Sequence, residues 1–121
     1  MEYLINIIKI IIAISIINVW LFRIKKPTPW RGNDANNMKD EFKAYGLPEW
    51  SMYIVGTLKV LFSLSLLISI YYDQLETPST LGIAFLMLGA ILMHIKIGDP
   101  PKKSLPAFIF LILSILVILV Q

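Results

Sequence analysis

The stretch Leu105–Val120, LPAFIFLILSILVILV, decides the class of this protein, because Ser114 is its only polar side chain. A helix on the surface of a soluble protein keeps a polar face toward water, whereas this stretch is apolar on every face. Such a segment is typical of a helix surrounded by lipid. Leu105–Val120 is therefore predicted to cross a membrane.

Three more apolar blocks precede this stretch, and they extend the same prediction to the whole chain. Transmembrane helices are predicted at residues 4–22, 48–72, 79–97 and 105–120. Of the 121 residues, 57% are hydrophobic and only 16% are charged, against roughly 25% charged in an ordinary soluble domain. We therefore expect an all-α fold, a four-transmembrane-helix bundle, forming a single integral membrane domain over residues 1–121.

The hydrophilic connection between the first two blocks carries the signals of a short helix. Asp34 is a predicted N-cap and Gly46 suits the position after the last helical residue. Apolar residues recur between them at helical spacing: Ala35, Met38, Phe42 and Tyr45. This pattern predicts an interfacial helix at about residues 35–45, with its apolar stripe on the bundle or the lipid boundary and with Lys39, Asp40 and Lys43 in water.

The basic residues predict the orientation of the chain. Six Lys or Arg residues lie in the connection 23–47, three lie in 96–103 and none lies in the turn 73–78. Basic loops stay in the cytoplasm. We therefore expect a bacterial inner-membrane protein with both termini outside and with the first and third connections cytoplasmic. This topology explains the net charge of +3, so nucleic-acid binding is not expected.

The residue inventory excludes several chemistries. The chain has no cysteine and a single histidine, His94, which excludes thiol exchange, iron–sulfur clusters held by cysteine and Cys/His zinc sites. It has no Gly-rich phosphate loop, no Ser/His/Asp set and no paired acids within the apolar blocks. No self-contained catalytic motif and no metal site are expected.

Lys59 is the first candidate for a functional residue, since it lies about 13 Å from the cytoplasmic boundary, near the middle of a membrane span. A charged lysine there costs about 2.5–3.5 kcal/mol on insertion scales. One interpretation is structural, in which the side chain extends toward the membrane surface or bonds to hydroxyls. The other is functional, in which the lysine contacts a ligand or takes part in proton transfer. No carboxylate lies at its level, so its counter-charge would come from Glu41, a lipid, a ligand or another subunit, or be avoided by deprotonation.

His94 is the second candidate, and it is predicted near the cytoplasmic end of the third block. It is the one side chain whose ordinary pKa lies near neutral pH. One interpretation is a structural histidine bonded to a backbone carbonyl or to Asp99, and the other is a ligand contact or proton donor. The predicted ligand-binding residues are Lys59, His94, Asn18, Met87, Glu41 and Trp30.

Several short motifs resemble one known family. They are Glu41-Phe42-x-Ala44-Tyr45-Gly46-Leu47-Pro48, Val55-Gly56, Met93-His94-x-x-x-Gly98-Asp99 and Leu105-Pro106-Ala107. Their order and spacing resemble those of the DoxX-like family of small four-helix membrane proteins. The resemblance implies a four-helix bundle and an association with respiratory and quinone chemistry, but no single activity. Many relatives carry an acid after the Val-Gly pair where this chain has Lys59, so a role of that carboxylate does not transfer.

The working hypothesis is a membrane subunit or accessory of a redox system that handles a quinone-like or other lipophilic small molecule. Quinone is then the one candidate cofactor, and the expected partners are the lipid bilayer and oxidoreductase subunits or further copies of the chain. The alternative is a non-catalytic membrane scaffold or partner-binding protein. A small-solute transport module is disfavoured, because the sequence contains neither broken helices nor an evident repeat.

Overall fold

The computed structural model describes residues 2–22, 35 and 37–120, and within these the chain forms helices and connections without a strand. Helix α1 covers Glu2–Ile17 and continues as a π-helical turn over Asn18–Phe22. The other helices are α2 (Met38–Ala44), α3 (Glu49–Ile68), α4 (Glu76–Lys96) and α5 (Leu105–Val120). Short 3₁₀ turns precede α4 and α5, at Asp73–Leu75 and Pro101–Ser104.

Four of these helical segments are long and apolar enough to cross a membrane: Tyr3–Phe22, Glu49–Ile68, Asp73–Lys96 and Pro101–Val120. They contain 20, 20, 24 and 20 residues, and about 20 residues span a ~30 Å hydrocarbon core. The predicted all-α fold with four membrane helices is confirmed.

The four long helices form a closed ring. Helix α1 packs on α3, α3 on α4 and α4 on α5, and α5 returns to contact α1. Each helix buries a narrow stripe and exposes the rest, as α5 does by burying only Ala107, Ser114 and Val117. Large exposed apolar side chains are costly in water but suit a lipid-facing surface.

Helix α4 begins earlier than the sequence predicted, at Glu76 rather than at residue 79. Pro78 was expected to end the preceding turn, but it lies in the first turn of the helix. A proline is tolerated there, because the amide N–H that it lacks has no partner within the helix. As a result Glu76, expected in an outer turn, is part of the bundle. Helix α3 ends at Ile68, four residues before the predicted 72.

The short helix α2 is present but covers Met38–Ala44 instead of residues 35–45. Its N-cap is Asn37, whose side chain accepts the N–H of Asp40 at 2.8 Å; the predicted cap, Asp34, lies outside the described residues. Three of the four predicted stripe residues, Met38, Phe42 and Tyr45, are buried, whereas Ala35 lies outside the helix and is half-buried. Lys39, Asp40 and Lys43 are exposed. A location at the membrane interface stays a prediction.

Candidate functional site

A cavity of about 530 Å³ lies in the half of the bundle that α2 covers. This volume is within the range of small-molecule sites in proteins. All five helices contribute to its walls, and most of the lining is apolar. The polar side chains that line it are Ser15, Glu41, Tyr45, Lys59, His94 and Lys103.

Trp20 forms one wall of this cavity. It lies in the π-helical turn that ends α1, a local geometry that is frequent at functional sites, and its side chain is buried. Its ring packs directly on the backbone of α3, since a Cβ atom added at Gly56 would lie 2.5 Å from Trp20 Cε3. Phe42 of α2 meets the same ring edge-on, with the centroids 6.0 Å apart. Gly56 thus lets a large aromatic ring lie between α1 and α3.

Lys59 lies on the same side of α3, one turn beyond Gly56, and lines the cavity. Its Nζ is 5.2 Å from the centroid of the Trp20 ring, a distance at which the negative ring face attracts a cation. The Glu41 carboxylate also attracts it coulombically. Among the described residues, however, no ion pair within 4.0 Å and no hydrogen bond involves this ammonium group.

Helix α2 brings Glu41 to the cavity. Tyr45, one turn later, donates its hydroxyl to Glu41 Oε1 at 2.5 Å, and both side chains are buried. The end of α2 is held against α4, because Lys96 Nζ donates to the backbone oxygen of Tyr45 at 3.0 Å. The short helix therefore supplies both an acidic group and a closing wall.

The last turn of α4 fixes the position of His94. Gly98 adopts a φ of +73°, which is left-handed and favours glycine. The chain turns back there, so that the Asp99 N–H donates to the His94 carbonyl oxygen at 3.0 Å, in the helix-ending arrangement that such a glycine permits. The same turn places Asp99 Oδ2 2.7 Å from His94 Nδ1. Of the two structural contacts expected for His94, the one to Asp99 is present.

This contact determines which nitrogen of His94 is left for a ligand. An ionised carboxylate only accepts hydrogen bonds, so Nδ1 carries a hydrogen toward Asp99. Within the described part of the chain the hydrogen bond of this side chain is made through Nδ1, which leaves Nε2 for other partners, and the ring lines the cavity. Tyr45 holds the ring from the side, edge-on, with centroids 5.8 Å apart. Nε2 is thus an acceptor in the neutral ring and a donor in the charged ring.

The structure brings together four of the six predicted site residues, since Lys59, His94, Met87 and Glu41 line one cavity. Asn18 does not line it: its side chain is exposed, because the neighbouring positions 16, 19 and 20 of α1 face the cavity instead. Trp30 lies outside the described residues. The ligand-binding role of all six residues stays a prediction.

Sequence reasoning did not select Trp20 and Tyr45 as site residues. A signal for Tyr45 was present in the predicted α2 stripe, which was expected to face the bundle or the lipid. A signal for Trp20 was its spacing of four and eight residues from Ile16 and Ile12, both of which are buried, on one face of α1.

A second polar cluster lies in the opposite half of the bundle, and sequence reasoning missed it. Lys9 Nζ of α1 is 2.6 Å from Glu76 Oε1 at the start of α4. The side chains are only 4% and 12% exposed. Thr80 donates its hydroxyl to the Glu76 carbonyl oxygen. The sequence placed Glu76 in a turn outside the apolar blocks, so it did not suggest this pairing.

The described residues contain no group of three or more His, Asp or Glu side chains that could hold a metal ion. What they do form is a four-helix integral membrane protein with a cavity lined by its helices. The family model of the DoxX-like family matches residues 32–117. The chain belongs to this family, as its motifs indicated. No curated protein and no solved structure matches the chain.

Proposed function

We propose that this DoxX-like membrane protein binds a quinone-like or other lipophilic small molecule in the α2-covered cavity, as a membrane subunit or accessory of a redox system. One observation carries the proposal: Lys59 and His94 line the same, largely apolar cavity, and within the described residues no hydrogen bond or ion pair occupies the Lys59 ammonium or His94 Nε2. The ammonium donates hydrogen bonds, and Nε2 accepts or donates one, so a ligand with oxygen atoms is the chemistry that suits both.

The residues around the cavity fit a flat, partly polar ring. Trp20, Phe42 and Met87 provide apolar walls, and the Lys59 ammonium is a donor to a carbonyl or phenolate oxygen. A bound quinone would supply two-electron, two-proton redox chemistry, with the electrons delivered by another subunit. His94 Nε2 accepts or donates a proton, and Asp99 stabilises the charged ring while it does so.

Co-purification of the ligand tests this proposal. Protein isolated in a mild detergent is extracted with organic solvent, and redox lipids are quantified per mole of chain. We expect about one quinone-class molecule per chain, well above the level in bulk lipid. Extracts at the bulk level would contradict the proposal. A dehydrogenase that co-purifies without such a lipid would favour the scaffold alternative.

Two substitutions at one position sharpen this experiment. In His94→Asn the side-chain amide N–H takes the place of Nδ1–H and can still donate to Asp99, but no atom remains at the position of Nε2. In His94→Gln the longer amide keeps a polar group near Nε2 and loses the contact to Asp99. We expect the Asn variant to lose bound ligand several-fold more than the Gln variant. The opposite order would show that the Asp99 contact matters and that Nε2 does not.

The proposal includes the location and orientation of the chain: a bacterial inner membrane, both termini outside, and the cavity in the cytoplasmic half. The nine-to-zero distribution of basic residues among the three connections supports it. Single cysteines at Lys39 and Gln74, both exposed, report the two sides. Gln74→Cys should react with an impermeant reagent in intact cells and Lys39→Cys should not. The reverse pattern would overturn the orientation.

A further inference from the structure

The contact between α3 and α4 changes along its length, and two glycines of α4 mark the change. At Gly82 the ring of Phe62 fills the space, because a Cβ atom added there would lie 2.6 Å from ring carbon atoms. At Gly89 an added Cβ would meet nothing within 4 Å. Gly82 and Gly89 are seven residues apart, which is nearly two helical turns, so they lie on the same face of α4.

The register of the two helices explains this difference. Helices α3 and α4 are antiparallel neighbours joined by a short turn, and Phe62 faces Gly82. Seven residues back along α3 and seven forward along α4 bring Val55 opposite Gly89. A phenylalanine fills the first gap, whereas valine is too short to fill the second. Val55 and Gly89 both line the cavity, so the gap between them leads into it.

The surroundings of this gap are apolar and face outward. Phe85, one turn from Gly89, lines the cavity and is 77% exposed. Lys59 of α3 lies just inside, near the middle of the span. Elsewhere α2 forms part of the cavity wall, and it is held to α4 by the hydrogen bond from Lys96 to the backbone oxygen of Tyr45. The gap thus faces outward among apolar side chains, while α2 covers one end of the cavity.

From this register we infer that the seam between α3 and α4 at Val55–Gly89 is a lateral opening through which a lipid-soluble molecule passes from the bilayer into the cavity. The kind of ligand rests on the proposed function, but the opening itself rests on packing. Filling the gap from either helix should close it. Gly89→Phe does so from α4 and Val55→Phe from α3.

The chain has no cysteine, so a single introduced thiol reports access without background. Met87→Cys places it at a buried position that lines the cavity. Ile83→Cys is the control, because Ile83 is fully buried and does not line the cavity. The protein is placed in lipid nanodiscs, where both water faces are reachable, and treated with N-pyrenylmaleimide or with a sulfonated maleimide that stays in water.

We expect pyrenylmaleimide to label Met87→Cys at least tenfold faster than the sulfonated reagent does, and at least tenfold faster than it labels Ile83→Cys. Gly89→Phe and Val55→Phe should each slow this labelling at least tenfold. Leu92→Phe, on the exposed outer face of α4, should leave it unchanged. Because the two gap-filling substitutions lie on different helices, the test still works if one of the variants misfolds. Size-exclusion chromatography verifies that each variant is folded.

Three results would overturn the inference. The first is that the sulfonated maleimide labels Met87→Cys as fast as pyrenylmaleimide does. The second is that neither Gly89→Phe nor Val55→Phe, when folded, slows the labelling, and the third is that Met87→Cys is labelled no faster than Ile83→Cys. The readout needs no quinone and no redox partner. If the labelling indicates a lateral opening but no redox lipid co-purifies, the proposed function alone is refuted. If a redox lipid is bound but Gly89→Phe and Val55→Phe do not slow the labelling, the opening alone is refuted.

Discussion

Lys9 and Lys59 lie well away from the ends of their membrane-spanning helices, and their surroundings differ. Lys9 forms an ion pair of 2.6 Å with Glu76, and its side chain is 4% exposed. Lys59 faces the ring of Trp20 at 5.2 Å and lines a cavity, with no ion-pair partner among the described residues. A charge within a membrane helix is costly wherever it lies. The protein neutralises the first lysine internally and leaves the second facing the cavity.

The neighbouring polar groups show the same contrast. Beside the Lys9–Glu76 pair, Thr80 donates its hydroxyl to the Glu76 carbonyl oxygen. Around Lys59 no hydrogen bond within the described residues occupies the second polar atom, His94 Nε2. We infer that the Lys9 half of the bundle is built for stability and the Lys59 half for binding. The predictions below test this division through the size of each stability change.

The largest effect is expected in the Lys9 half. Glu76→Gln keeps the shape of the side chain but leaves the Lys9 ammonium buried without its carboxylate. Breaking a buried ion pair in this way costs about 3–5 kcal/mol. The free energy of unfolding, measured by denaturant titration in mixed micelles, should fall by this amount, and the double variant Lys9→Met/Glu76→Gln should recover most of it.

Glu49→Gln is the matched control for this loss. Its carboxylate is 3.8 Å from Lys39 Nζ, and both side chains are about half exposed or more. Exposed pairs contribute about 0–1 kcal/mol, so this variant should be nearly as stable as the wild type. Equal losses for Glu76→Gln and Glu49→Gln would show that the Lys9–Glu76 pair does not hold α1 and α4 together.

Alanine substitutions at two glycines, Gly56 and Gly89, are expected to change the free energy of unfolding by an intermediate amount and in opposite directions. Gly56→Ala forces a Cβ atom to within 2.5 Å of the Trp20 ring, and overpacking of this kind costs about 1–3 kcal/mol. Gly89→Ala adds a Cβ atom where nothing lies within 4 Å, so it should stabilise the protein by about 0.5–1 kcal/mol through the better helix propensity of alanine. The same unfolding titration checks both signs. A loss at both positions would mean that the gap at Gly89 is filled.

These contrasts also show what sequence reasoning could and could not predict. Levels along a helix follow from a constant rise of 1.5 Å per residue, which is how the sequence placed Lys59 near the middle of its span. The direction in which a residue faces depends on which helices are neighbours. Asn18 was therefore placed at the correct end but on the wrong face of α1.

Contacts between distant helices were also beyond the sequence. The pairing of Lys9 with Glu76 requires α1 to lie near the start of α4, and α4 to begin before Pro78. Likewise, Gly82 and Gly89 look equivalent in the sequence, since they are seven residues apart on one face of the same helix. Only the side chains opposite them on α3, Phe62 and Val55, make one contact tight and leave the other open.

The smallest effect on stability is expected for Lys59→Met. Methionine keeps the long unbranched chain and removes the cost of a charge within the membrane, while the attraction to the Trp20 ring, about 0.5–2 kcal/mol, is lost. These contributions oppose each other, so the free energy of unfolding should change by about 1 kcal/mol or less, or rise. Bound redox lipid, in contrast, should fall at least tenfold, because the donor to its oxygen is gone.

Lys39→Met is the control for this last variant, since Lys39 is exposed on α2 and away from the cavity; it should change neither quantity. Two outcomes would contradict the division between the lysines. A loss of several kcal/mol would make Lys59 a structural residue like Lys9. Unchanged stability with full retention of the redox lipid would remove Lys59 from the site. Only loss of the ligand from a stable protein supports a lysine kept for binding, because in that case the charge contributes nothing to the fold that contains it.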